Sequence, residues 1–300
     1  MDDPARDPAL RHDPSIADPP DRLRDRLAGI RGLVLDADGV LVLAGRPIPG
    51  AAGALAELDR RRFPWRIVTN ASLSSRPALA ASFAGMGFAI GAGQITTAVS
   101  ATAAYTARRF AGEPLFVIAA SDAVAEFAGQ WLLSADEAGA PGARVAAIVL
   151  GDGGDDLSYR NMDLCFRLVR GGAAFLAMHR NPWWLTTRGP TLDVGAFVAG
   201  LELATGVRAT VLGKPSPLVF RRAAADLRGR ARLPRAAIAM VGDDLRADVI
   251  PARRAGLRGI LVLSGRDGPT ELAAASRRAR GGRVADAVAT SLAAVVVALG

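Results

Sequence analysis

Gly32-Leu33-Val34-Leu35-Asp36-Ala37-Asp38-Gly39-Val40 decides how this chain is read. Four residues with no charge or hydroxyl run straight into two carboxylates separated by a single alanine. A short, continuous apolar run is the mark of a strand buried on both faces, and such strands belong to parallel sheets. Gly39 supplies the backbone freedom for a sharp turn just past the strand. Asp36 and Asp38 therefore stand at the carboxyl end of a buried strand. Two acids this close can divide into a nucleophile and a general acid/base. Taken alone, Asp-x-Asp-Gly also fits an ordinary turn.

The same form recurs along the chain. Strands are expected at 66–69, 115–119, 145–150, 174–178, 209–212, 238–241 and 259–263, and helices at 51–62, 76–86, 196–204, 217–227 and 247–255. Strand–helix alternation predicts an α/β fold with a parallel, Rossmann-like sheet. Two more strands end in polar chemistry, at Thr69-Asn70 and at Gly242-Asp243-Asp244. Ligands of open α/β sheets bind beyond the carboxyl ends of the strands, so three remote segments are expected to converge on one crevice. Residues 105–207 carry strands and helices but none of these signatures, which reads as an inserted second domain between core segments 21–104 and 208–300. Residues 1–20, rich in Asp, Pro and Arg, read as a disordered leader.

Composition narrows the class. Three hundred residues suit one large domain or two moderate ones. Half are apolar, 22% are charged, and the mean hydropathy is +0.22, which predicts a folded, soluble protein. A net charge of +8 and a pI near 11.0 raise nucleic acid as a partner. The arginines are scattered and only 5% of residues are aromatic, so no nucleic acid is expected. A single cysteine, Cys165, excludes an internal disulfide and any cysteine metal site, and its helical setting reads as a small buried hydrophobe. The N-terminus shows no apolar signal core, and the apolar stretch 292–299 is far short of the roughly 20 residues that span a bilayer. A cytoplasmic protein with no membrane partner is the expectation.

Three further stretches carry chemistry. Thr69 and Asn70 precede a helix, where a hydroxyl and helix N-terminal amides cradle phosphate or simply cap the helix. Gly242-Asp243-Asp244-Leu245-Arg246-Ala247-Asp248 brings three acids to a strand end. With Asp36 they can hold Mg²⁺, a hard cation that takes oxygen ligands; acids there also suit the positive end of a helix dipole. Lys214 is the chain's only lysine among 37 basic residues. Arginine is a rigid planar fork and lysine a compact point charge, so a position that keeps lysine in so arginine-rich a chain either needs the small ammonium or is a surface lysine that survived by chance.

In this order and at these strand ends, Asp36-x-Asp38, Thr69-Asn70, Lys214 and Gly242-Asp243-x4-Asp248 resemble the four motifs of the haloacid dehalogenase (HAD) superfamily of aspartate-nucleophile phosphatases. The insert resembles the C2-type cap of its NagD-like branch, subfamily IIA. Tyr159-Arg160-Asn161-Met162, Phe175-Leu176-Ala177-Met178-His179, Leu192-Asp193-Val194-Gly195 and Gly213-Lys214-Pro215-Ser216-Pro217 are most similar to the phospholysine phosphohistidine inorganic pyrophosphate phosphatase group. The similarity runs from about residue 31 to 295. Some members of that branch carry serine where this chain has Asp38, so the acid/base position is intact here.

The resemblance implies a Mg²⁺-dependent phosphatase of a small phosphorylated metabolite, with its active site between core and cap and a homodimer formed through the cap. Asp36 would attack phosphorus, and Asp38 would protonate the leaving oxygen and then activate water. Thr69, Asn70 and the Ala71 amide would hold the phosphoryl oxygens, and Lys214 would neutralise Asp36 and the phosphate. Asp36, the Asp38 backbone carbonyl and Asp243 would bind Mg²⁺, with Asp248 steering Lys214 or a metal-bound water. His179, in His179-Arg180-Asn181-Pro182-Trp183-Trp184, either faces the substrate or belongs to a structural loop whose tryptophans are buried against the cap or a second subunit. The acidic run from Gly151 to Asp156 lacks EF-hand spacing and reads as a turn capping the next helix. Three rivals stay open: a phosphoamidate or inorganic pyrophosphate phosphatase, a non-catalytic binding protein on the same scaffold, and a nucleic-acid binder. The second would be marked by loss of Asp36, Lys214 or Asp243, and none is lost.

Overall fold

Six strands form one sheet in the order Ala287–Ala289, Arg258–Val262, Ile238–Gly242, Gly32–Leu35, Trp65–Thr69, Ile95–Thr97. This is a computed structural model that describes residues 16–186, 189–231, 233–279 and 282–300. Pairing is parallel on both sides of Gly32–Leu35, with Leu33 opposite Ala239 and Trp65, and it continues outward as Val241 opposite Ile260 and Leu261 opposite Val288. Numbered along the chain, the strands stand 6-5-4-1-2-3, the Rossmann order counted from the far edge. The direction of winding reverses between Gly32–Leu35 and Ile238–Gly242, so the ends of these two strands flank the crevice in which such sheets bind ligands.

Every residue of those two central strands is buried, which is why they read as unbroken apolar runs. The helix Pro217–Ala231, with Val219 and Phe220 buried, packs on Gly32–Leu35 and Trp65–Thr69, while Ala51–Arg60 and Leu292–Ala298 pack on each other and bury Leu55, Leu58, Leu292, Val295 and Val296. Each such side chain contributes roughly 2 kcal/mol by leaving water.

Contacts divide the chain into two units: Met1–Thr69, Ala80–Thr96 and Pro217–Gly300 in the first, Asn70–Leu79 and Thr97–Ser216 in the second. The second unit has its own five-stranded parallel sheet in the order Thr210–Val211, Ala174–Ala177, Ala147–Leu150, Leu115–Ile118, Leu132–Leu133. Chain order is 5-4-3-1-2, the flavodoxin-like winding. One face packs on the helices Tyr159–Arg170 and Val194–Thr205 through Leu164, Cys165, Val198 and Leu201. The other packs on Ala98–Arg109 through Ala98, Val99 and Ala103. The unit thus takes in more chain than the 105–207 expected, because an alanine-rich helix buries its small face against Leu115, Val149 and Leu176 without a strong apolar pattern of its own.

Several local expectations are corrected. Residues 1–15 of the expected leader lie outside the described residues, but 16–20 belong to the fold. Ile16 packs beside Leu245, Val249 and Leu261, and Asp18 exchanges hydrogen bonds with Val288 at 2.8 and 2.9 Å. The helix expected at 196–204 starts at Val194, where the Asp193 carboxylate accepts the Val194 N–H at 2.7 Å. The acids before Tyr159–Arg170 form a separate single turn, and Ser158 Oγ caps that helix instead, accepting the Asn161 N–H at 3.3 Å. Cys165 is fully buried as expected, which pushes its thiol up to about 12. Trp183 lies on the hairpin Trp183–Thr186/Gly189–Leu192 and is 57% exposed. Among the described residues no helix is long and apolar enough to cross a membrane.

Candidate active site

In the first unit, the carboxylates of Asp36, Asp243 and Asp248 meet, each offering an oxygen within 4.8 Å of the others, and all three residues are buried. Asp36 is held at the end of its strand by its N–H, which donates to Val241 O at 2.9 Å, and its Oδ1 accepts the Ala37 N–H at 2.7 Å. The chain then turns: Leu41 and Val42 N–H groups return to Ala37 O, and the Gly39 N–H donates to Val42 O at 2.7 Å. That turn leaves Asp38 exposed while its neighbours are buried. A buried carboxylate fixed by the strand and an exposed one thus stand on either side of Ala37.

Asp243 follows Ile238–Gly242 directly. Its Oδ2 accepts the Arg266 N–H at 2.7 Å, and its carbonyl accepts the Asp267 N–H at 3.0 Å. Asp248 returns to the same place through a wide π-helical turn, Leu245–Val249, in which the Asp248 and Val249 N–H groups both donate to Asp244 O. Such widened turns recur at functional sites. Asp244 caps the turn, its Oδ1 accepting the Arg246 and Ala247 N–H groups at 2.7 and 2.8 Å. This cap starts the helical segment at Leu245, ahead of the 247 expected. Asp248, expected to steer Lys214 or a metal-bound water, stands with Asp36 and Asp243 in one carboxylate group.

The space for these carboxylates is made by glycines. A Cβ would fall 2.0 Å from Asp243 Oδ2 at Gly39, 2.1 Å from it at Gly265, and 2.4 Å from Asp248 Cβ at Gly242. Gly39 also sits at φ +72°, where other residues are strained. Gly265 belongs to a loop, 263–267, that sequence reasoning missed altogether. There Ser264 Oγ donates to Gly39 O at 2.7 Å, and Asp267 Oδ2 accepts the Leu245 N–H at 2.7 Å. Burial pushes the Asp267 carboxyl up to about 6, against the lowering effect of that hydrogen bond. The loop holds Asp243 through the backbone N–H groups of Arg266 and Asp267, which any sequence supplies. The one visible signal was Gly265 with Asp267 just past a buried strand.

Thr69 is buried at the end of Trp65–Thr69, and at the next peptide the chain passes into the second unit. There the Asn70 carboxamide grips the backbone of residue 214 in both directions: Nδ2 donates to Lys214 O at 3.0 Å and Oδ1 accepts the Lys214 N–H at 2.8 Å. The side chain expected to hold phosphate thus uses both ends of its amide to place the lysine. Gly213 is required beside it, since a Cβ there would lie 2.5 Å from Met178 O and 2.7 Å from Asn70 Oδ1. Lys214 is buried at 5% exposure, and Ala71 is partly buried. His179 is 2% exposed, and its Nε2 lies 2.9 Å from Ser72 Oγ. Burial lowers its pKa to about 4, opposed by the Asp152 carboxylate, so the ring is neutral. The structure therefore joins Asp36, Asp243 and Asp248 in one unit, and Asn70, Lys214, Ser72 and His179 in the other.

Comparison with known proteins gives consistent matches. Family models described as haloacid dehalogenase-like hydrolase and HAD-hydrolase-like match residues 33–130 and 211–293. The phospholysine phosphohistidine inorganic pyrophosphate phosphatase of Bos taurus is 32% identical over 253 residues, covering 82% of this chain and 88% of its own length. A 4-nitrophenylphosphatase from Thermotoga maritima has a similar structure, with a TM-score of 0.79 at 25% identity over 92% of this chain and 99% of its own. NagD from E. coli K-12 gives 0.75 at 27% identity over 88% and 97%.

Proposed function

This chain belongs to the haloacid dehalogenase-like hydrolases, and from that premise we propose that it hydrolyses a small phosphomonoester through an aspartyl-phosphate on Asp36, with Mg²⁺ as cofactor. The observation that carries the reading is the buried group of Asp36, Asp243 and Asp248, within 4.8 Å of one another at the winding switch of the sheet. Three carboxylates so close repel strongly in a poorly solvated site, and a cation relieves this. The donor set is all oxygen, with no nitrogen or sulfur ligand, which suits Mg²⁺. Asp36, Asp243 and the Asp38 carbonyl would hold the ion, with the Asp248 carboxylate beside them. When bound, Mg²⁺ neutralises charge on the phosphoryl oxygens and the acids.

The chain's own residues supply the rest. Asp36 Oδ attacks phosphorus, and the bond to the leaving oxygen breaks as Asp38 gives that oxygen a proton. Asp38, again a carboxylate, then takes a proton from the water that attacks phosphorus, releasing phosphate and restoring Asp36. Thr69 and the amides of Asn70 and Ala71 hold the phosphoryl oxygens, Asn70 places Lys214, and the Lys214 ammonium neutralises the transferring group. Catalysis of this kind is mostly positioning and charge neutralisation.

Dialysis against excess EDTA should abolish turnover of p-nitrophenyl phosphate. Mg²⁺ should restore it, and Ca²⁺, with its looser and higher coordination, should not. Undiminished activity in EDTA would sink the metal-dependent reading. Gly265→Ala should raise the Mg²⁺ concentration needed for half-activity at least about 10-fold, because its Cβ displaces the Asp243 carboxylate. Gly200→Ala is the matched control: nothing lies within 4 Å of its Cβ, inside the helix Val194–Thr205. It should raise stability by about 0.5–1 kcal/mol and leave Mg²⁺ dependence alone. Equal Mg²⁺ curves for both variants would remove the argument for Gly265.

The similarity to a phospholysine phosphohistidine inorganic pyrophosphate phosphatase favours a second reading, in which a phosphoamidate or pyrophosphate bond is cleaved by the same residues. Relative kcat/KM on pyrophosphate, a phosphoamidate and p-nitrophenyl phosphate separates the two.

A further inference from the structure

We propose that His179 is a positioning residue: by donating its Nε2–H to Ser72 Oγ it fixes the loop whose Asn70 and Ala71 amides hold the phosphoryl group. The inference rests on the assignment of that loop to the phosphoryl group.

The direction of this hydrogen bond follows from the other ring nitrogen. The Asn181 N–H points at Nδ1, 3.4 Å away, so Nδ1 is an acceptor and the proton of the neutral ring sits on Nε2. Ser72 Oγ, at 2.9 Å, therefore receives it. Two carboxylates face the ring. Asp193 Oδ2 is 4.0 Å from Nδ1, and Asp152 acts on the imidazole electrostatically. At that distance Asp193 accepts no hydrogen bond from the ring. A Ser-His-Asp relay needs the opposite arrangement, with Nδ1–H pointing to a carboxylate and Nε2 accepting from the serine. Ser72 is thus an anchored residue and not an activated nucleophile.

The anchor is well placed to hold shape. Ser72 and His179 are 6% and 2% exposed, so water does not compete for either partner. His179 follows the strand Ala174–Ala177, and Met178 between them donates its N–H to Leu150 O at 2.8 Å, so the ring stands on the end of a sheet. The loop is tied at its other points too. Asn70 is paired with Lys214, the Ser75 N–H donates to Asp122 at 2.6 Å, and the Arg76 N–H donates to Glu126 at 2.8 Å. Between Lys214 at one end and Asp122 at the other, Ser72 is tied by the side chain of His179. Without the donor, a buried hydroxyl loses its partner and the adjacent amides can drift. A displacement of about 1 Å at a reacting group costs ~100-fold in rate.

The test is a double-mutant cycle with Ser72→Ala, His179→Phe and the pair, together with His179→Gln, which keeps an N–H donor. Each single variant should lose about 10- to 100-fold in kcat/KM on p-nitrophenyl phosphate and bind inorganic phosphate more weakly by calorimetry. The double variant should be no worse than the poorer single one, and His179→Gln should recover most of the loss. Losses that multiply, or an unimpaired His179→Phe, overturn the proposal. Should His179→Phe fail to fold, Ser72→Ala still decides through phosphate binding, which stays at the wild-type level if the anchor is irrelevant. A long-range ¹H–¹⁵N spectrum of the wild type should show the Nε2–H tautomer, and an Nδ1–H tautomer sinks the idea. A wild type with no turnover but with phosphate binding that Ser72→Ala weakens keeps the anchor and removes the phosphatase reading instead.

Discussion

Asp36→Asn is expected to lose about 10⁴-fold or more in kcat, because the amide keeps the shape of the side chain and removes the attacking charge. The fold should survive. Asp36 is buried with Asp243 and Asp248 in a group 4.8 Å across, where three negative charges repel through a medium that screens them poorly. Neutralising one relieves that repulsion, so in EDTA the variant's Tm should match or exceed the wild type's. The stabilisation that Mg²⁺ gives should shrink, since a ligand is lost. BeF₃⁻, which mimics a phosphorylated carboxylate, should inhibit the wild type and raise its Tm while leaving Asp36→Asn unmoved. A fully active Asp36→Asn enzyme would end the aspartyl-phosphate mechanism.

Lys214→Arg should cost about 100-fold in kcat/KM although it keeps the charge. Lys214 is 5% exposed and is the chain's one lysine. A planar fork is bulkier than an ammonium and directs its donors differently, so it misplaces the phosphoryl group it should neutralise. Lys214→Ala should lose at least as much activity, with stability unchanged or higher. Arg167→Lys is the control, a 65% exposed side chain in an i,i+4 pair with Asp163, and it should be silent. If Lys214→Arg keeps more than about half of wild-type kcat/KM, the assigned role is wrong and the lone lysine is an accident of composition.

The strand ends were legible because burial on both faces leaves an unbroken apolar run, and the chemistry begins where the run stops. Asp36, Thr69 and Asp243 all follow from that rule. The two edge strands, Ile95–Thr97 and Ala287–Ala289, were not found. Each has three residues, and both lie beside alanine-rich or polar stretches with no period to count. The helix Ala98–Arg109 was hidden for a similar reason, since its buried face is alanine and threonine. The helix starts at Val194 and Leu245 were set by Asp193 and Asp244, whose capping bonds are short but whose sequence signal is a single acid.

Within the site, the acids were readable and their supports were not. Gly265 and Ser264 act on Gly39 and Asp243 from more than 20 residues away, by the room one leaves and the hydroxyl the other lends. The pairing of Ser72 with His179 spans 107 residues, and that of Asn70 with Lys214 spans 144. No local pattern encodes such partners. Asn70 was singled out for a different duty, because in sequence a carboxamide that grips a backbone looks the same as one that grips a ligand.

That grip has a use beyond catalysis. The Asn70 carboxamide and the room left at Gly213 fix the path of the chain at residue 214 through its backbone, by contacts that do not depend on which side chain stands there. The position is a socket. Other cations, natural or synthetic, can be seated in it against an unchanged frame, from a shortened amine to an amine grown from a cysteine thiol. Here the native Cys165 is fully buried and its thiol is pushed up to about 12, so it does not compete with an introduced thiol for alkylation.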